Sequence, residues 1–96
     1  MYVLVTYDVN TKDKNGEYRL RKVAKVCQKY GHRVQNSVFE CLVNPSEFLL
    51  LKHDLDSIIL KEDDSIRFYK LPKNYSNHIE CMGKDLSLHL EETTLF

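Results

Sequence analysis

No stretch of this 96-residue chain approaches the roughly 20 consecutive apolar residues that a membrane-spanning helix needs. The chain also has no net charge, with 14 Lys and Arg against 14 Asp and Glu. That balance excludes a histone-like binder whose whole surface is basic. There is no C-x-x-C pair. Cys27, Cys41 and Cys81 are odd in number, which fits buried thiols in a reducing compartment better than a disulfide framework. His32, His53, His78 and His89 lack zinc-like spacing. No basic segment precedes the first apolar run, so no secretory signal is expected. Repeats, low-complexity tracts and an internal domain boundary are absent. These absences point to a soluble cytoplasmic protein of one domain spanning 1–96. A domain of this length buries a real core but is short for a deep cleft of its own, so oligomerisation is expected.

The charge that is present is unevenly placed. Residues 1–45 carry eight Lys and Arg against four acids, and residues 46–96 carry six against ten. A basic first half allows a local phosphate-binding face.

The chain opens on an apolar run, Tyr2-Val3-Leu4-Val5-Thr6-Tyr7, of strand-forming residues, and the run ends at Asp8. The polar stretch from Val9 to Gly16 then reads as a loop. A carboxylate where a strand gives way to a loop sits on rigid backbone and meets solvent. Such a position suits a hard-metal ligand or a general base, and equally a helix cap or a turn.

In 17–30, Leu20, Val23, Ala24 and Cys27 recur at helical spacing, with Arg19, Lys22, Lys25 and Lys29 mainly on another face. Asp13 and Glu17 lie near the helix start and Gly31 follows its end. The basic face serves either phosphate or plain solvation. Val34, Val38-Phe39 and Cys41-Leu42-Val43 read as two short strands around a tight turn or bulge at Gln35-Asn36-Ser37. Asn44-Pro45-Ser46-Glu47 is a strong helix start with a capping box, and Phe48, Leu51, Leu55, Ile58 and Ile59 continue it to about Leu60. Lys61-Glu62-Asp63-Asp64 is a polar turn, and 65–71 is a strand ended by Pro72.

The order strand, helix, strand, strand, helix, strand predicts an α+β, ferredoxin-like βαββαβ fold. Its antiparallel sheet carries both helices on one face. Residues 73–96 form a C-terminal extension in which 77–82 reads as a short extra strand and Leu86, Leu88 and Leu90 alternate. This apolar tail packs either at a homodimer interface or back over its own sheet.

The segments VLVTYDV, RLRKVAKVCQKYG and, above all, Arg33-Val34-Gln35-Asn36-Ser37-Val38-Phe39-Glu40 resemble CRISPR-associated protein two, the small subunit of the spacer-acquisition machinery. The resemblance spans the whole chain, including Ile66-Arg67-Phe68-Tyr69-Lys70-Leu71, and the tail resembles the subgroup of the I-C type systems. It implies a ferredoxin-like homodimer that acts as a metal-dependent endonuclease on double-stranded DNA or RNA. It also implies a second role, in which the dimer bridges copies of a CRISPR integrase subunit and holds the DNA being inserted. Asp8 matches the family's catalytic, metal-binding aspartate. Arg33, Ser37 and Phe39 match its recurrent positions near the dimer centre.

Phosphodiester hydrolysis needs an activated water and neutralised phosphate charge, which magnesium or manganese supplies. Magnesium commonly takes only one or two carboxylates and keeps several waters. One chain offers Asp8 alone, so a site of two Asp8 residues across a dimer two-fold axis is the expectation. Ser37 is assigned to a ligand water or phosphate oxygen. Arg33, Arg19 and Lys22, with Lys12, Lys14, Arg21 and Lys25, are assigned to phosphate. Surface or turn roles for Arg33 and Ser37 and packing roles for Phe39 and Tyr7 stand beside these assignments. A ferredoxin-like regulatory module without nucleic-acid affinity is the remaining alternative.

Overall fold

The computed structural model describes residues 1–84. Strand β1 (Tyr2–Asp8) leads to helix α1 (Lys14–Tyr30). Strands β2 (Gly31–Gln35) and β3 (Val38–Leu42) follow, then helix α2 (Pro45–Asp56), strand β4 (Ser65–Leu71) and a short 3-10 turn over Tyr75–His78. The sheet order is β2-β3-β1-β4 and every pairing is antiparallel. Each helix therefore connects two parallel strands separated by a third, the interleaved split βαβ arrangement of ferredoxin-like domains.

Local chemistry explains the boundaries. Asp13 caps α1 by accepting the Gly16 N–H at 2.7 Å, and Glu17 lies in the first turn. The helix thus starts three residues before the expected position. At α2 the capping box is complete: Glu47 N–H donates to Asn44 Oδ1 at 2.8 Å, Asn44 N–H donates to Glu47 Oε1 at 2.9 Å, and Pro45 follows the cap. Helix α2 ends at Asp56 rather than near Leu60. The β2–β3 connection combines both expected irregularities, a turn at Asn36-Ser37 and a register shift between Arg33 and Gln35.

Alternation along β1 divides the sheet into two faces. Val3, Val5 and Tyr7 point into a core shared with Val23, Val26 and Cys27 of α1 and Phe48, Leu51 and Leu55 of α2. Both helices therefore cover one face. Burial pushes the thiols of Cys27 and Cys41 up to about 12, so both are inert packing groups, while Cys81 is exposed.

Tyr2, Leu4, Thr6 and Asp8 point to the other, helix-free face. One end of that face is covered by the chain itself. Tyr75 is buried there, its ring 4.5 Å from that of Tyr2 and its hydroxyl donating to Glu40 Oε1 at 2.9 Å. Residues 77–82 do not form the extra strand expected of them, because 75–78 is spent on this turn and 79–84 is irregular. The alternating Leu86, Leu88 and Leu90 lie outside the described residues.

Candidate active site at the end of the first strand

Asp8 is the last residue of β1, exposed, and paired in register with Ser65 at the start of β4. No hydrogen bond or ion pair engages its carboxylate among the described residues, so both oxygens remain available to a ligand. Backbone pairing on both flanks of β1 fixes its origin, because β1 lies between β3 and β4. This is the strand-end carboxylate that the sequence predicts.

The β2–β3 turn is pinned beside it. Tyr7 N–H donates to the Ser37 carbonyl at 3.1 Å, and the Tyr7 hydroxyl donates to the Asn36 carbonyl at 3.4 Å. Ser37 is therefore a backbone neighbour of the residue before Asp8. Tyr7 stacks on Phe39 with ring centroids 6.2 Å apart, and the Arg33 guanidinium lies 5.1 Å from the Phe39 ring centre. Burial raises the Tyr7 hydroxyl above its ordinary pKa, and a hydrogen bond with Arg33 partly offsets that. Phe39 is fully buried and serves as packing rather than as a stacking platform for bases.

Arg33 and Asp8 do not converge within one chain. Arg33 pairs with Phe39, whose side chain is on the helix-covered face, whereas Asp8 points to the open face. Their strands are separated by β3, about 10 Å at the spacing of paired strands. Lys22 is exposed on α1, its ammonium 5.0 Å from the Tyr18 ring centre, and so belongs to the helical layer.

Arg19 departs from the expected basic face. It is 9% exposed and turned inward, its Nε donating to Asp64 Oδ2 at 2.8 Å and its terminal nitrogen to Asp64 Oδ1 at 3.2 Å. The helical wheel places Arg19 beside the apolar stripe, and an acid from the α2–β4 turn meets it there. Asp64 was legible in the sequence only as one of four polar turn residues. Its long-range partner gives no local signal. Arg19 holds Asp64 well below the usual carboxylate range, against the opposing effect of burial.

Among the described residues, no three His, Cys, Asp or Glu side chains converge as a metal cage. A single exposed carboxylate fits magnesium's habit of using one or two carboxylates with several waters. It does not fit zinc, which takes four closely held ligands. Asp8 thus has the right chemistry for such an ion but supplies only part of a site.

The fold and the free strand-end acid together define a ferredoxin-like domain that presents one carboxylate on rigid backbone. A family model described as CRISPR associated protein Cas2 matches residues 1–79, and the chain belongs to that family. The chain is 51% identical over 96 residues to a protein of Halalkalibacterium halodurans named CRISPR-associated endonuclease Cas2, covering all of both chains. It is 52% identical over 83 residues to a protein of Nitratidesulfovibrio vulgaris named CRISPR-associated endoribonuclease Cas2, covering 86% of this chain and 81% of that one. The crystal structure of Streptococcus pyogenes Cas2 at pH 6.5 superposes with a TM-score of 0.81 at 59% identity, covering 86% of this chain and all of the other. The Halalkalibacterium and Nitratidesulfovibrio relatives are named as nucleases of CRISPR systems. No helix among the described residues is long and apolar enough to cross a membrane.

Proposed function

We propose that this protein is a homodimeric, divalent-metal-dependent endonuclease of CRISPR adaptive immunity, with Asp8 as its metal-holding catalytic residue. The observation that carries the reading is the free Asp8 carboxylate at the open-face end of β1. A helix-free sheet face is the natural surface for a second copy. Along β1 from Asp8 it presents Leu4 opposite the exposed Tyr69 and, at the far, Tyr75 end of the face, an apolar hollow of about 250 Å³ lined by Leu4, Leu71, Pro72, Tyr75, His78 and Ile79. Two-fold packing across this face with its axis near the Asp8 end would bring a second Asp8 toward the first and supply the carboxylate that one chain lacks. Magnesium, or manganese in its place, supplies an activated water and neutralises phosphate charge.

The chain's own residues do the rest. Asp8 would hold the ion, which would supply the attacking water. The backbone at Ser37, tied to Tyr7, keeps the β2–β3 turn beside the strand end, where the Ser37 hydroxyl is a candidate donor to a water or phosphate oxygen. Arg33 and Lys22 hold nucleic-acid phosphate away from the cutting point, and double-stranded DNA is the leading substrate over RNA. In the cell the same dimer takes part in spacer acquisition with the integrase subunit. The I-C subtype assignment rests on the resemblance of the tail.

A second reading, a non-catalytic adaptor that holds DNA between integrase subunits, is favoured by one feature. Arg33 and Lys22 lie on the helical side of the sheet and Asp8 on the other. The two readings separate on Asp8→Ala. Loss of magnesium-dependent cleavage of a DNA duplex, with folding and dimerisation intact, supports the nuclease. Undiminished cleavage in that variant sinks it, and spacer integration that survives the substitution favours the adaptor.

A further inference from the structure

The peptide at Asn10, two residues past Asp8, is gripped from three sides. Asp64 Oδ1 accepts the Asn10 N–H at 3.0 Å. The Arg19 terminal nitrogen donates to the Asn10 carbonyl at 3.4 Å. Helix α1 passes so close that a Cβ on Gly16 would collide with the same carbonyl oxygen, so only glycine fits there. Asp64 is itself held by both Arg19 donors and by Leu60 N–H at 2.9 Å, and its side chain has no solvent exposure. The next residue, Ser65, pairs directly with Asp8. The segment from Asp8 to Asn10 is therefore fastened at both ends to the corner formed by Asp64 and Ser65.

A buried ion pair is a poor device for stability alone, since well-packed apolar residues often do as well. Here two of its bonds go to the main chain of the loop that leaves Asp8. The grip is on the main chain two residues past the carboxylate, so it acts by fixing the backbone that carries Asp8 and not by touching its oxygens. We infer that Asp64, together with Arg19, is the positioning residue for the Asp8 carboxylate, fixing the path of the chain on which Asp8 meets its ion. The inference rests on the metal-holding reading of Asp8. It assigns Arg19 an internal task in place of phosphate contact.

The test uses the full chain, isotopically labelled, as wild type, Asp64→Asn and Arg19→Lys. The last keeps the charge and carries the test if Asp64→Asn fails to fold. Amide exchange is read at residues 9–12 against residues 3–5 of β1, and Mn2+ alone is titrated while the broadening of the Asp8 amide signal is followed. In a folded variant the loop amides should exchange about tenfold faster with β1 unchanged. The Mn2+ concentration for half-maximal broadening should rise about tenfold, the lower range for loss of an outer orienting group. A folded variant with wild-type loop exchange and wild-type Mn2+ midpoint overturns the inference and leaves the pair as a staple of the fold. If wild-type Asp8 does not respond to Mn2+, the metal reading falls, and loop exchange still decides whether Asp64 orders the Asp8 segment.

Discussion

The open face of the sheet carries two carboxylates with opposite fates. Glu40, on β3, is 6% exposed, accepts the Tyr75 hydroxyl and lies 3.9 Å from His32. Asp8, at the far end of β1 on the same face, is exposed and engages nothing among the described residues. Burial of a charged group is tolerated only with partners, and Glu40 has them. An exposed carboxylate costs little to keep free, and Asp8 has no partner among the described residues. Among the described residues, the chain closes one end of this face with Tyr75 and leaves the other open.

Substitution at the free end should cost activity and little else. Asp8→Ala is expected to lower metal-dependent cleavage by about a thousandfold or more. Its melting temperature should stay within about 2 °C of wild type, as for a surface substitution. A large fall in melting temperature would erase the contrast between the two acids.

The next effect belongs to the buried acid behind Asp8. Asp64→Asn leaves Arg19 without its counter-charge and is expected to lower the melting temperature by at least about 12 °C at neutral pH. Because the folded-state pKa of Asp64 is depressed, its stabilising contribution is present above the ordinary carboxylate value of about 4 and is lost as pH falls through the lowered one. Urea midpoints should therefore show an acid-side decline in the wild type that is smaller in Asp64→Asn. Identical declines would remove Asp64 from the account.

At the closed end, Tyr75→Phe deletes one hydrogen bond to the buried Glu40 and should cost about 1–2 kcal/mol in urea unfolding, with cleavage unchanged. Loss of cleavage instead would mean that the closed end takes part in the chemistry.

The smallest effect is expected on the helical layer. Lys22→Ala should reduce the slope of log affinity for duplex DNA against log salt by about one unit, with no change in sequence preference. An unchanged slope takes Lys22 off the phosphate path.

The architecture was legible because its signals are local. The Asn44-Pro45-Ser46-Glu47 cap, the Asp13 and Glu17 pair at the start of α1 and the alternation of Val3, Val5 and Tyr7 each act over a few residues. Asp8 was legible for the same reason, as an acid at the end of an apolar run. Arg19 and the 77–82 segment were misread because their partners are remote in sequence. Arg19 answers to Asp64, 45 residues away, and the segment after β4 answers to Glu40 and Tyr2 through Tyr75. The separation of Arg33 from Asp8 follows from pairing register, to which spacing along the chain is blind.

Helix α1 ends at Tyr30 and β2 begins at Gly31, with no residue between them. A side chain at Gly31 would strike the carbonyl oxygen of Glu40, so the joint lies flush against β3. Most connections in a domain absorb insertions as surface loops lengthen. This one behaves as a rigid elbow. One inserted residue would either turn the helix by about 100° or reverse every side chain of β2, Arg33 included. Natural length variation in such chains should therefore avoid this joint.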